Sequence, residues 1–549
     1  MTDFTSLSNV KISENTQQTE EKKPKYYFAK SDGIFAIVFF ILGYLYVQWA
    51  YPFRPALSTA LFVVMFVITG TVYGNICGFK QSRKSIPYLI ILLLGALRFV
   101  VFDNDLPGVM LFMFITFMAV YWVGVFAKKR IGVNSGKDKI SSLFVWDILN
   151  QLLNVPFSHF SCSFGSIKNS FGKGKNSSVS GQILIGILIC IPVAFVVISL
   201  LASADMAFDN LMGILYDMFF GKIYSSVIKL FIAIPVWCYF FGLFYGNLRN
   251  RSFQGITCES VEKARKYMCK MPKATAYTVL TVINLIYILF FISQSAYLFS
   301  GFSNLLPAEF TYSQYARKGF FELCVIAFIN FGITYLSFVI VERNSEGKRP
   351  KALTAQTILL SVFTLLLIAT ALSKMAMYID CYGLTRLRIY ASWFMVMLFI
   401  MFIIIIAKSA VNFNAPKAAF VVFCIGLFVL CFSNIDGYMT KYNISRFEKG
   451  TLDTFSPYDY RSLSAGSVPY LYEFYSNITT NGEYIGKTAS ESGNTNKGVM
   501  ALNSDELIQL KTDIEMVIKN DESNFVWYNG DFKTFNIQAY NAQKTAFGE

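Results

Sequence analysis

Histidine is nearly absent: His159 is the one imidazole in 549 residues. This excludes a multi-histidine metal centre and weighs against a Ser-His-Asp triad. Charge is also scarce, at 15% of residues against 54% apolar and 17% aromatic, so the long polar stretches that several soluble domains would need are missing. The ten cysteines form no CxxC pair and none lies beyond Cys431, so the C-terminal region has no disulfide framework. Cysteines scattered in apolar runs act as small buried hydrophobes. No phosphate loop is present either: Gly165 and Gly172-Lys173-Gly174 are wrongly spaced, and Gly174 stands where a magnesium-binding hydroxyl is needed.

What the chain has in abundance is apolar length. Eleven stretches can cross a roughly 30 Å hydrocarbon core at about 20 helical residues each. They are 33–50, 57–76, 86–102, 107–127, 182–202, 223–245, 276–299, 320–341, 355–372, 390–407 and 418–433. Helices are expected because lipid offers no partner to an unpaired backbone group. The first 32 residues are polar, so the first span reads as a retained anchor rather than a cleaved signal.

Lysine and arginine set the orientation. Alternate connections, beginning with the N-terminal tail, hold 29 of them, and the intervening ones hold seven. The N-terminus is therefore expected inside and the C-terminus outside. Residues 434–549 carry ten basic and fifteen acidic side chains, a net of −5, so within the formal charge of +14 the rest of the chain carries +19. Basic inner loops facing anionic lipid explain that charge, and no nucleic acid is expected as a partner.

Smaller features refine this picture. Leu143, Val145, Ile148, Leu152 and Phe157 fit one face of an interfacial helix, and 204–220 is a second such segment. Ser, Gly, Lys and Asn in 161–180 read as a flexible connector. Gly70, Gly74 and Gly78, and Gly242 with Gly246, recur at four-residue spacing, as helix-packing faces do. Arg98, near the outer end of its span, is expected to snorkel to the headgroups. Beyond the membrane, helical pieces are expected in 436–475, a loop in 480–500, a helix over 502–518, and a hairpin from 525–528 to 532–537 around Asn529-Gly530.

Two outer segments stand above the background: 294–323, with Tyr312, Tyr315, Arg317 and Glu322, and 377–390, with Tyr378, Asp380, Tyr382, Gly383, Arg386 and Arg388. Together with Tyr442-Asn443-Ile444-Ser445-Arg446-Phe447, Leu463-Ser464 and Val468-Pro469, they resemble the bacterial membrane families named domain of unknown function 4173 and 4153. The resemblance runs from about the fifth span to the C-terminus. It implies a multi-pass protein of the bacterial envelope and supplies no catalytic residues.

The expected fold is an all-α polytopic membrane protein of about eleven helices with a small α+β extracytoplasmic C-terminal domain. Its parts are a cytoplasmic tail (1–32), a transmembrane domain (33–433) and the C-terminal domain (434–549). Tyr312, Arg317, Glu322, Asp380, Tyr382, Arg386 and Arg388 form the candidate site. Arginine offers a planar fork to phosphate or carboxylate and tyrosine suits an interface, so a lipid headgroup or envelope protein is the expected partner, alongside the bilayer itself. The competing account pairs these charges with one another to hold helix ends together. No cofactor is expected. The expected function is non-enzymatic envelope sensing, maintenance or assembly in the bacterial cytoplasmic membrane. The alternatives are a transporter or flippase, and a membrane enzyme using Asp380 or Glu322 as acid or base.

Overall fold

The computed structural model describes residues 28–49, 56–103, 106–129, 144–171, 223–249, 271–302, 320–342, 349–411, 413–452, 455–460, 463–480, 504–519 and 535–547, plus isolated positions in 197–211 and at 263 and 267. Outside them fall most of the 182–202 span, most of the 204–220 segment, residues 481–500 of the expected loop, and 525–534 of the expected hairpin.

Ten of the eleven expected stretches are helices: α1 (Lys30–Trp49), α2 (Leu57–Ile76), α3 (Ile86–Val101), α4 (Leu106–Phe126), then, after the shorter α5 (Phe144–Leu149), α6 (Val155–Ser158) and α7 (Cys162–Phe171), α8 (Ile223–Leu248), α9 (Lys273–Phe302), α10 (Phe320–Val339), α11 (Lys351–Tyr382), α12 (Arg386–Ala410) and α13 (Ala415–Phe432). Among the described residues nine of these are long and apolar enough to cross a membrane, and α3 is shorter. Their ends are written in the sequence. Asn414 accepts from Lys417 N at 3.1 Å to start α13, and Gly383 ends α11 with φ 71°, a left-handed conformation open to glycine.

α1 to α4 and α8 enclose an aromatic core. Trp122 stacks on Phe126 at 5.5 Å, and Phe39 lies against Phe244 at 4.9 Å. Gly70 and Gly74 admit these rings, because a Cβ there would meet Phe244 and Phe126 at 2.5 and 2.1 Å. Gly242 meets the carbonyl of Pro156 in the same way, at 2.6 Å. Gly78 differs: its φ of 88° ends a helix and nothing lies within 4 Å of its Cβ position. A second apolar core joins α10, α11 and α12 through Phe320, Leu367, Ile368, Ala371, Met395 and Phe402.

Two expectations change here. The 141–160 segment is no surface helix with a polar outer face. α5, a π-helical turn (Asn150–Asn154) and α6 bury Asp147, Asn150, Gln151 and His159 against the bundle, and leave Leu149, Leu153 and Phe157 exposed. In lipid the exposed apolar side is the favourable one. Likewise, 162–171 of the expected connector is helix α7 lying on α1. Asn169 donates to the Phe28 carbonyl at 2.9 Å, and Ser170 occupies the space beside Gly33. Small residues there permit close packing rather than flexibility.

After α13 comes a helical unit with its own core: α14 (Ile435–Glu448), two 3-10 turns (Pro457–Tyr460 and Ala465–Ser467), α15 (Val468–Thr480), α16 (Ser504–Lys519) and α17 (Ile537–Phe547). Val468, Leu471, Phe474, Ile514, Val517 and Ala542 are at its centre. Among the described residues this unit holds no strand. The expected second arm is cut short at its end, where Asn536 accepts from Ala539 N at 2.7 Å and caps a helix beginning at Ile537.

Candidate functional site

The helix ends expected on the outer side converge beneath the C-terminal unit, and polar side chains there form a clamp. Arg386, in the first turn of α12, makes a two-pronged pair with Asp436 of α14: Nε donates to Oδ1 at 2.7 Å and Nη2 to Oδ2. Asp436 is 3% exposed, and its Oδ2 also accepts from Ser464 N at 2.7 Å. Planar guanidinium and carboxylate suit this geometry, and the extra backbone donor satisfies the buried anion.

Next to it, the glycine break after α11 is held by Asn443. Its Oδ1 accepts from Leu384 N at 2.7 Å, and its Nδ2 donates to Leu384 O at 2.9 Å and to Tyr460 Oη at 3.1 Å. A side chain at Gly383 would collide with that amide, at 2.7 Å from Oδ1. Burial pushes the Tyr460 hydroxyl above its ordinary value, with the Asn443 bond acting against that. Asn443 is itself buried, so its place in an Asn-Ile-Ser sequon carries no glycosylation meaning. Arg446, one turn on, donates to the carbonyl of Asp380 at 2.8 Å and that of Thr451 at 3.0 Å, and pairs with Asp380 Oδ1 at 3.4 Å.

A third part of the clamp was read differently in the sequence. Arg98 does not snorkel: it is fully buried, donating from Nε to Cys431 O at 3.2 Å and from Nη1 to Asp103 O at 3.0 Å. A lone ionisable group in a span needs a partner, and here backbone carbonyls near the ends of α3 and α13 provide it. Asp103 then reaches the C-terminal unit, accepting from Ala465 N at 3.1 Å, while its own N–H donates to Gln538 Oε1 at 2.9 Å. Gln538 Nε2 in turn donates to Asn434 Oδ1 at 2.9 Å.

Four of the seven candidate residues therefore meet at one turn. Arg386 is in the clamp. Arg388 donates to the carbonyls of Tyr382 (2.9 Å) and Gly383, with its guanidinium 4.0 Å from the Tyr378 ring centre. Asp380 is 70% exposed and Tyr382 is 48% exposed. Glu322 is on a different helix, α10, where its charge acts on Lys374 of α11. Tyr312 and Arg317 lie outside the described residues.

The opposite end of the bundle holds a cluster that sequence reasoning missed. Asp32, fully buried, accepts from Ala29 N at 2.9 Å, Tyr73 Oη at 3.0 Å and Arg249 Nε at 2.9 Å. Burial alone would lower the Arg249 guanidinium, but the bond and charge of Asp32 more than reverse this and keep it protonated. Asp32 had been counted with the polar tail and Arg249 with the basic loops. Two opposite charges just beyond apolar runs were the available signal.

No curated protein and no solved structure matches the chain. A family model does match residues 89–474, a range that starts earlier than the resemblance seen in the sequence, stops before α16 and contains Arg98, Asp103, Arg386, Asp436, Asn443 and Arg446. The chain belongs to the family described as Domain of unknown function, DUF4153.

Proposed function

We propose that this chain is a non-enzymatic protein of the bacterial cytoplasmic membrane, with its N-terminus inside and its C-terminal unit outside. It works by binding, in envelope sensing, maintenance or assembly. The observation that supports this reading is the rim of the clamp. Its cations are already committed to protein groups, while Tyr382, Leu387 and Tyr438 stand exposed beside them at 48, 75 and 63%. Aromatic and apolar side chains around structurally held arginines suit the headgroup zone, where Arg388 and Arg446 add positive potential without being consumed in a reaction. Tyr312, Arg317 and Glu322 are kept as ligand-binding residues in the same proposal.

Native mass spectrometry of the full chain released from nanodiscs containing phosphatidylglycerol tests it. Wild type retains more phosphatidylglycerol than Arg388→Gln at equal folded fraction. Equal retention contradicts a headgroup role for the rim.

A second reading, a transporter or flippase for a small or lipid-like substrate, is favoured by one observation away from the rim. Polar side chains run along the interior of α9, α10 and α11, where packing alone would accept leucine.

A further inference from the structure

The polar interior of α9, α10 and α11 is layered. At one end, Arg349 precedes α11 and turns inward, its Nη2 donating to Ser337 Oγ at 2.9 Å and Thr357 Oγ1 at 2.8 Å, with the guanidinium 3.8 Å from the Phe338 ring centre. This is the end that carries the basic connections. The next layer joins α9 to α11 and runs from the buried Asn284 to the surface: Asn284 Nδ2 donates to Gln356 O at 3.2 Å, and the half-buried Gln356 donates from Nε2 to the exposed Thr281 Oγ1 at 2.6 Å. Deeper still, Tyr287 Oη donates to Asn330 Oδ1 and Asn330 Nδ2 to Thr364 Oγ1, each at 2.9 Å. Thr364 is 13 residues into α11, about 20 Å along it, near the middle of that helix. Beyond it the interior turns apolar, with Phe320, Leu367, Ile368 and Ala371 all buried.

Interhelical hydrogen bonds hold membrane helices together, and the deepest layer fits that role without remainder. The middle layer does not. Among the described residues, Asn284 Oδ1, Gln356 Oε1 and Thr334 Oγ1 are buried with no hydrogen-bond partner. Asn284 and Thr334 are 4% and 0% exposed. Three such atoms between the same three helices are costly in a dry interior, at about 1–3 kcal/mol each. Two of the three are acceptors, so the missing partner carries donors, which hydrocarbon lacks, and the Arg349 guanidinium at the same end disfavours a cation.

We infer that α9, α10 and α11 enclose a hydrated cleft, entered from the Arg349 end and closed at Tyr287, Asn330 and Thr364, that binds a small uncharged solute bearing hydrogen-bond donors. Water is its minimal occupant. The cleft stands apart from the outer rim, so either can fail while the other holds.

Cysteine chemistry tests this, because a thiol reacts through its thiolate and stays unreactive in a dry apolar site. Thr334→Cys and Ala371→Cys are built separately in a cysteine-free full-length chain, reconstituted in proteoliposomes and treated with hydroxyethyl methanethiosulfonate. Ala371→Cys, in the apolar plug, is the dry reference. An exposed Arg83→Cys corrects for reagent and viscosity. The expected result is modification of Thr334→Cys about tenfold or more faster than Ala371→Cys, slowed by glycerol beyond the slowing seen at Arg83→Cys. The inference is overturned if Thr334→Cys in folded protein is as inert as Ala371→Cys, or if it reacts with no such protection by glycerol. Should Thr334→Cys fail to fold, Ser361→Cys, on the same face of α11 as Thr357, is read by the same two criteria.

Discussion

Arg386 and Asp436 show what a charged residue does at a helix end when its partner is 50 positions away. Neither side of the pair is visible locally. The sequence placed Arg386 at the membrane boundary and offered Asp380 as its neighbour, whereas the fold brings Asp436 to Arg386 and gives Asp380 to Arg446. Removing Arg386 leaves the buried Asp436 carboxylate uncompensated, at a cost of up to about 3–5 kcal/mol, whereas Arg386, 28% exposed, can be partly hydrated when Asp436 is removed. Arg386→Ala and Asp436→Ala are each expected to lower the melting temperature of the purified protein, and the double variant to lose less than the sum. Strict additivity in that cycle would contradict a direct pair. Glu448 provides a second check. Burial, then the nearby Glu473 charge, raise its carboxyl pKa, with Lys449 opposing. A raised value in the folded state means that Glu448 stabilises when protonated, below its ordinary range, and that this contribution is lost as pH rises through the raised value. Glu448→Gln should therefore melt higher than wild type at pH 7 and equal to it at pH 4. A constant difference across that range would assign the effect to packing.

At the scale of elements, apolar length and periodicity foretold the spans well, because lipid leaves the backbone so few choices. The helix start near residue 504 was equally legible, with Asp505 and Glu506 in its first turn. Composition misled where small residues serve contact. The Ser and Gly content of 162–171 looked like a linker and is a helix seated on α1. Asn536 was read as part of a strand and is a cap. Both depend on what lies opposite in space, which no window of sequence contains. The glycine spacing was read correctly at Gly242, whose Cβ position falls 2.6 Å from a backbone oxygen that has no rotamer to escape into. Gly242→Ala should accordingly separate α8 from α6 and cost about 1–3 kcal/mol as an overpacking defect, measured as a drop in thermal stability in detergent. Gly78→Ala tests a different cause, since its penalty comes from a φ of 88° with open space around it. An unchanged stability for Gly242→Ala would mean the two helices are not in contact.

For the whole molecule, the two polar clusters sit at opposite ends of one helical bundle. Arg98, Asp103, Arg386, Asp436, Asn443 and Arg446 tie the C-terminal unit to the ends of α3, α11, α12 and α13, and Asp32, Tyr73 and Arg249 tie α1, α2 and α8 at the other end. In the sequence, connections rich in lysine and arginine alternate with connections poor in them, which is the signal behind the expected orientation. The site itself was half legible. Four residues of the 377–390 segment do gather at one turn, but the partners of Asp380 and Arg386 come from α14, whose role required a tertiary contact to see. The account stands on one spatial assignment: the clamp and the C-terminal unit face outward, and the basic loops face inward. The direct measurement is labelling of intact cells with a membrane-impermeant maleimide, using Asp505→Cys on the exposed face of α16 and Arg83→Cys in an exposed basic connection, each in a cysteine-free chain. The account predicts that Asp505→Cys labels in intact cells and Arg83→Cys only after permeabilisation. Labelling of Arg83→Cys alone in intact cells would invert the molecule and contradict the account.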